Sequence, residues 1–110
     1  KALSELFAYN AILREQYIYA ACQNGNIADV VDLIEKDAEL LQTQKFETDA
    51  AKSFRDDLIK NEMYNALKNK NTPPETREKI IEALMNFVNK NPDESISEEM
   101  AFKFISGEFS

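Results

Sequence analysis

The side chains with chemical potential are few and mostly acidic. Asp56-Asp57 and Glu98-Glu99 are the densest carboxylate pairs. Paired carboxylates serve acid–base chemistry when they share a proton or flank a substrate, yet helix neighbours point about 100° apart. Neither pair forms a shared proton site by itself, and both read as solvated surface. No histidine occurs in the chain, which removes the commonest general base, the usual zinc ligand and the side chain that changes charge near neutral pH. The single cysteine, Cys22, sits between Ala21 and Gln23 on an apolar stretch. It reads as a small buried residue and not a nucleophile, and one cysteine excludes an internal disulfide framework. A Mg²⁺ or Ca²⁺ site needs several oxygens converging from a defined loop, and no Asp-x-Asp-x-Asp-Gly run is present. Gly25 has no lysine after it and the other glycine is distant, so no phosphate cradle is written here. The expectation is no catalytic residue, no cofactor and no metal.

Aromatic residues carry more information. Tyr9, Tyr17, Tyr19 and Tyr64, with Phe46, Phe102, Phe104 and Phe109, exceed what one buried stripe per helix requires. Tyr17 and Tyr19 diverge on a helix, so one of them is partly exposed. Taken singly, each reads as an aromatic lying flat with its polar end in water. Phe46 is the exception, because its run Gln42-Thr43-Gln44-Lys45-Phe46-Glu47 is otherwise polar and nothing local would bury it. Exposed aromatics on an acidic surface can anchor an interface.

The elements that must position these residues follow from composition. With 110 residues, 44% hydrophobic and 30% charged, the chain reads as one domain over 1–110 with a single packed core. It begins at Lys1, which reads as a piece of a longer protein. Two glycines and three prolines leave little material for hairpins, so an all-α fold is expected. A formal charge of −7 opposes a phosphate-binding role and hence nucleic acid. The acids are dispersed, which favours plain solubility, with attraction to a basic partner as the functional alternative. No apolar run approaches the roughly 20 residues that span a bilayer, and no signal-peptide pattern opens the chain. A cytoplasmic protein is expected, or one delivered to a host cytoplasm as a secreted effector.

Along the chain, Leu3, Leu6, Phe7, Leu13, Tyr17, Ile18 and Ala21 recur at helical steps. Ser4 can cap a start, and Asn10 interrupts the stripe, so one long helix or two shorter ones fit. Asn24-Gly25 ends this element, and Asn26 caps a second with Ile27, Val30, Val31, Leu33 and Ile34 buried. A turn this short sets the two helices antiparallel and in contact. Asp37 to Gln44 reads as a short third helix or a loop. Thr48 or Asp49 then starts a helix with Ala51, Phe54, Leu58, Ile59, Met63, Ala66 and Leu67 on one face. Thr72-Pro73-Pro74-Glu75 predicts a capping box with proline at the first helical position. The stripe Ile80, Ile81, Leu84, Met85, Phe87 and Val88 follows, ended by Asn91-Pro92. Ser95 or Ser97 caps a last helix through Met100, Ala101, Phe102, Phe104 and Ile105, closed by Gly107. The expected fold is all-α, a compact bundle or short solenoid of five to six helices.

Ala21, Gly25, Asn26, Ile27, Val30, Leu33, Ile34 and Ala38 fall at the spacing of an ankyrin-repeat helix pair, and residues 16–41 resemble one degenerate repeat of that family. The family's Thr-Pro-Leu-His start is replaced by Gln16, Tyr17, Ile18 and Tyr19, and Asp37 stands where it has glycine. One period later the turn glycine would fall near Leu58, inside a helix. The resemblance implies a protein–protein interaction module without catalytic activity. It also implies a binding surface at Tyr19 and Gln23 on the first helix and Gln44 and Phe46 on the following loop. The stretch from Pro74 to Phe109 resembles the closing portion of small helical bacterial immunity proteins, without their cysteine pair. That implies the alternative, an inhibitor that neutralises a toxin by binding it.

Overall fold

The computed structural model describes residues 16–21, 23 and 27–109. Several expectations lie outside these residues: the stripe from Leu3 to Leu13, the cap at Ser4, Tyr9, the break at Asn10, Cys22, and the Asn24-Gly25-Asn26 turn.

Residues 16–21 form helix α1, with Ile18 and Ala21 buried. Ile27–Val30 makes a single 3₁₀ turn that runs into α2, Val31–Thr43. Ile27, Val30, Ile34, Ala38 and Leu41 are buried at alternating three- and four-residue steps, the stripe of a helix packed on one side. Val31 and Leu33 were expected on that stripe but are only partly buried, because each stands about 100° from a core position. Asp37 to Gln44 is neither a third helix nor a loop: α2 continues through Thr43 and stops at the extended Gln44. No glycine or proline interrupts it, and Ala38 and Leu41 extend its apolar side.

After an extended connection over residues 44–47, Thr48 caps α3, Asp49–Asp57, its hydroxyl accepting the Ala51 N–H at 3.1 Å. Leu58–Met63 then takes π-helical hydrogen bonding before Tyr64–Lys68 returns to α-helix as α4. Leu58 and Tyr64 at the joints keep helical dihedrals, so α3, the π segment and α4 form one rod. The π segment is wider than an α-helix, and its buried residues are Leu58, Ile59, Glu62 and Met63. Ala51 and Phe54, expected on the core face, are half-buried.

Helix α5, Pro74–Lys90, starts with Pro74 at its first position, but the cap residue is Pro73 and no side chain caps it. Thr72 does not form the expected capping box; its buried hydroxyl donates to the Ala66 carbonyl and ties the turn to the end of α4. Ile80, Ala83, Leu84 and Phe87 are buried on α5, Ile81 and Val88 partly so, and Met85 is exposed. Helix α6, Ser95–Ile105, begins after Glu94, with no side-chain cap from Ser95 or Ser97. Ser97 instead donates to the Asn91 carbonyl at 2.6 Å across the turn. Gly107, at φ 79°, closes α6. Its N–H reaches the Phe104 carbonyl at 3.3 Å and that of Glu108 the Lys103 carbonyl at 3.0 Å, the paired bonds of a Schellman end that needs the left-handed conformation.

Five helical rods and no strand occur among the described residues. Helix α2 lies chiefly against α5 and also touches the π segment, while α5 packs on α6 and on α4. Polar seams border the first contact: Thr76 donates to Glu35 at 2.7 Å, Lys79 to Glu35 at 3.0 Å, and Asn86 to Gln42 at 2.8 Å. Because α2 pairs with α5 across the intervening α3–α4 rod, the arrangement is a bundle; in a solenoid each unit contacts only its sequence neighbours. One core cluster runs from Ile18 to Phe109, and the radius of gyration of 13.5 Å matches a single compact domain.

Candidate protein-interaction site

The four residues expected at an interface fall into two pairs. Tyr19 and Gln23 lie on the first helix and are exposed, Tyr19 by 50%. Tyr17 is 54% exposed, so both tyrosines of that helix meet solvent and not one alone. Gln44 and Phe46 line a groove of about 390 Å³ together with Arg55, Phe87, Lys90 and Glu94, a lining that includes neither Tyr19 nor Gln23. Phe46 is not stranded. Its ring tilts on Phe54 with centroids 6.1 Å apart, and it packs against the core. A contact from a helix several residues further on buries what its own polar run could not.

Arg55 walls this groove and was not foreseen. It is 3% exposed, with its guanidinium 5.0 Å from the centre of the Phe87 ring. Its Nη2 meets Asp56 at 2.8 Å and Glu94 at 3.3 Å. A planar cation can stack on an aromatic face and bind carboxylates at its edge at once. Arg55 therefore joins α3 to the turn before α6 and to α5. Its charge is met by two carboxylates at its edge and by the Phe87 ring at its face, which makes the cluster a clamp between these elements.

Other titratable groups are also held in structural roles. Hydrogen bonds from Thr76 and then Lys79 hold the Glu35 carboxyl below its usual range, against a smaller opposing effect of burial. Burial, then the negative charge of Glu99, pushes the Tyr64 hydroxyl well above its usual value. Glu99 lies close enough to act on that hydroxyl but outside hydrogen-bond geometry. Lys103 sits 5.1 Å from the Tyr64 ring centre, and Phe109 stacks on the same ring at 5.2 Å. Glu62 and Asp37 are buried within helices, and each has an interaction partner. Asp56 is paired with Arg55, while Asp57, Glu98 and Glu99 are exposed. Among the described residues no three His, Cys, Asp or Glu side chains form a metal-binding group, and no helix is long and apolar enough to cross a membrane.

Sequence reasoning missed a second apolar surface. Phe102 is 70% exposed, Ile105 85% and Met85 51%; Met85 was expected on the α5 core stripe, Phe102 stood among the surplus aromatics, and Ile105 was placed on the last helix without a face. A signal was present. Met100 is buried, and a residue two positions further along a helix points to nearly the opposite side, so Phe102 cannot share its face.

Comparison with protein-family models, curated proteins and solved structures finds no match to this chain.

Proposed function

We propose that this chain is a protein–protein interaction module without catalytic activity, with its first helix pair serving as a degenerate ankyrin-type element. The observation that carries the reading is the exposure of Tyr17, Tyr19, Met85, Phe102 and Ile105 on a domain whose core is otherwise filled. Large apolar side chains left in water beside a satisfied core are the usual raw material of interface anchors. The charge of −7 favours a basic protein partner and disfavours nucleic acid. In this reading the module works in the cytoplasm, its own cell's or a host's. Tyr19 and Gln23 supply one contact, and Gln44 with the exposed edge of Phe46 another.

The test is affinity capture with the chain as bait, followed by titration of the purified partner against Tyr19→Ala and Phe46→Ala. Loss of affinity in both supports the assignment. Unchanged affinity in both removes these residues from the interface, and failure to isolate any saturable protein partner counts against the module itself.

A further inference from the structure

The outer side of the α5–α6 hairpin joins exposed apolar residues to uncompensated acids, and its geometry can be worked out from the contacts on its inner side. On α6, Lys103 lies over the Tyr64 ring and Glu99 acts on the Tyr64 hydroxyl, so the flank carrying residues 99 and 103 faces α4. Positions two apart on a helix point to nearly opposite sides. Ile105 therefore turns away from α4, and Phe102 turns away from the core side defined by buried Met100. On α5, Lys79 and Asn86 are held by Glu35 and Gln42 of α2, whereas Arg77 donates to the Phe109 carbonyl beyond the end of α6 at 2.8 Å. The flank with Arg77, Ile81 and Val88 is thus the α6 side, and Met85 borders it. The short connection between α5 and α6 makes them antiparallel, which sets Met85 and Ile105 about 8 Å apart along the hairpin at 1.5 Å per residue.

The exposed charges along this strip are acidic, and the half-buried Arg77 at its edge donates to the Leu67 and Phe109 carbonyls. Glu78 on α5 and Glu98 on α6 are exposed and lie on the outward faces by helical periodicity, whereas Glu82 lies beside Lys36 and Lys79 on the α2 side. Neither Glu78 nor Glu98 has an ion pair among the described residues. The nearby cations are engaged elsewhere: Lys79 with Glu35 at 3.0 Å and Lys103 with Glu108 at 2.9 Å.

We infer that this strip docks an amphipathic helix of a basic protein partner, with apolar residues on Met85, Phe102 and Ile105 and flanking lysines or arginines on Glu78 and Glu98. The inference rests on the interaction-module reading and names its partner class. A helix presents apolar anchors at three- and four-residue steps, which suits a strip of three apolar side chains along two antiparallel helices. Charge complementarity selects this occupant. A second copy of the chain would bring the same acids against each other, and an anionic membrane surface would repel them.

The experiment is a fluorescence-anisotropy titration of the full chain with a labelled leucine–lysine amphipathic peptide and its leucine–glutamate counterpart. The wild type is expected to bind the lysine peptide saturably at one site, more weakly as salt rises, and not the glutamate peptide. Phe102→Ser combined with Ile105→Ser should weaken binding about tenfold or more; both positions are exposed, and circular dichroism checks that the fold survives. Glu78→Gln and Glu98→Gln together should flatten the salt dependence. Equal binding by the Ser variant, no binding of the lysine peptide, or equal binding of both peptides overturns the inference. Self-association that the Ser variant abolishes, or binding to anionic vesicles, assigns the strip to another occupant and also overturns it. If the captured natural partner responds to Tyr19→Ala and Phe46→Ala but not to the Ser variant, the strip is refuted while the module reading stands.

Discussion

The most informative perturbation of the fold is Phe109→Ala. Phe109 lies beyond the end of α6, yet it is only 4% exposed. Its ring meets Tyr64 at 5.2 Å and Phe104 edge-on at 5.1 Å, and its carbonyl accepts Arg77 Nη2 at 2.8 Å. Truncating a buried phenylalanine costs about 3–5 kcal/mol, with about 0.5–1.5 kcal/mol of that range attributable to each aromatic pair. Phe109 lies outside a regular helix, where the backbone can collapse into the space left, so the lower end applies, about 3 kcal/mol. With a urea slope near 1.5 kcal/mol/M, the unfolding midpoint falls by about 2 M, a large part of a typical stability of about 5–15 kcal/mol. Gly107→Ala should cost about 1 kcal/mol by forcing a Cβ into the left-handed turn. In the double variant the two losses should sum to less than their total, because both release the same segment. Urea unfolding followed by far-UV circular dichroism measures all three. A loss below about 1 kcal/mol for Phe109→Ala at unchanged slope would refute the segment after α6 as part of the core.

Three further outcomes follow from the same contacts. Glu35 is held below its unfolded pKa by Thr76 and Lys79, so its contribution is present above the unfolded value and drains as pH falls through the folded one. Glu35→Gln should therefore lose less stability than wild type on acidification below about pH 5; parallel acid limbs would contradict this. Tyr64 is raised by burial and Glu99, so above about pH 10 the unfolded chain releases a proton that the folded chain keeps. Stability then falls by up to about 1.4 kcal/mol per pH unit, and Tyr64→Phe should remove that alkaline slope in chemical-denaturation series taken at increasing pH. Thr48→Ala deletes the α3 cap bond and should cost about 1 kcal/mol, read as a lowered urea midpoint; no shift would show that the cap contributes nothing.

The sequence by itself determined the helical class and much of the punctuation. The three- and four-residue steps of Ile27, Val30 and Ile34, the proline opening α5, the Asn91-Pro92 break and the Gly107 close are local effects. Each is set by backbone dihedrals or by which side of a single helix is apolar. Tertiary structure decided what local rules could not. Arg55 and Glu62 are buried although their type predicts solvent, and Phe46 is covered by Phe54 from another element. The π segment at Leu58–Met63 has no local signature, since its hydrogen-bond shift depends on what the rod packs against. The candidate site was half legible. Tyr19, Gln23 and Gln44 are exposed, and Phe102 already stood out as a surplus aromatic, while Met85 was hidden on the apolar stripe of its helix. An apolar side chain marks core or interface equally well in a sequence. Only the direction of its helix relative to its neighbours separates the two.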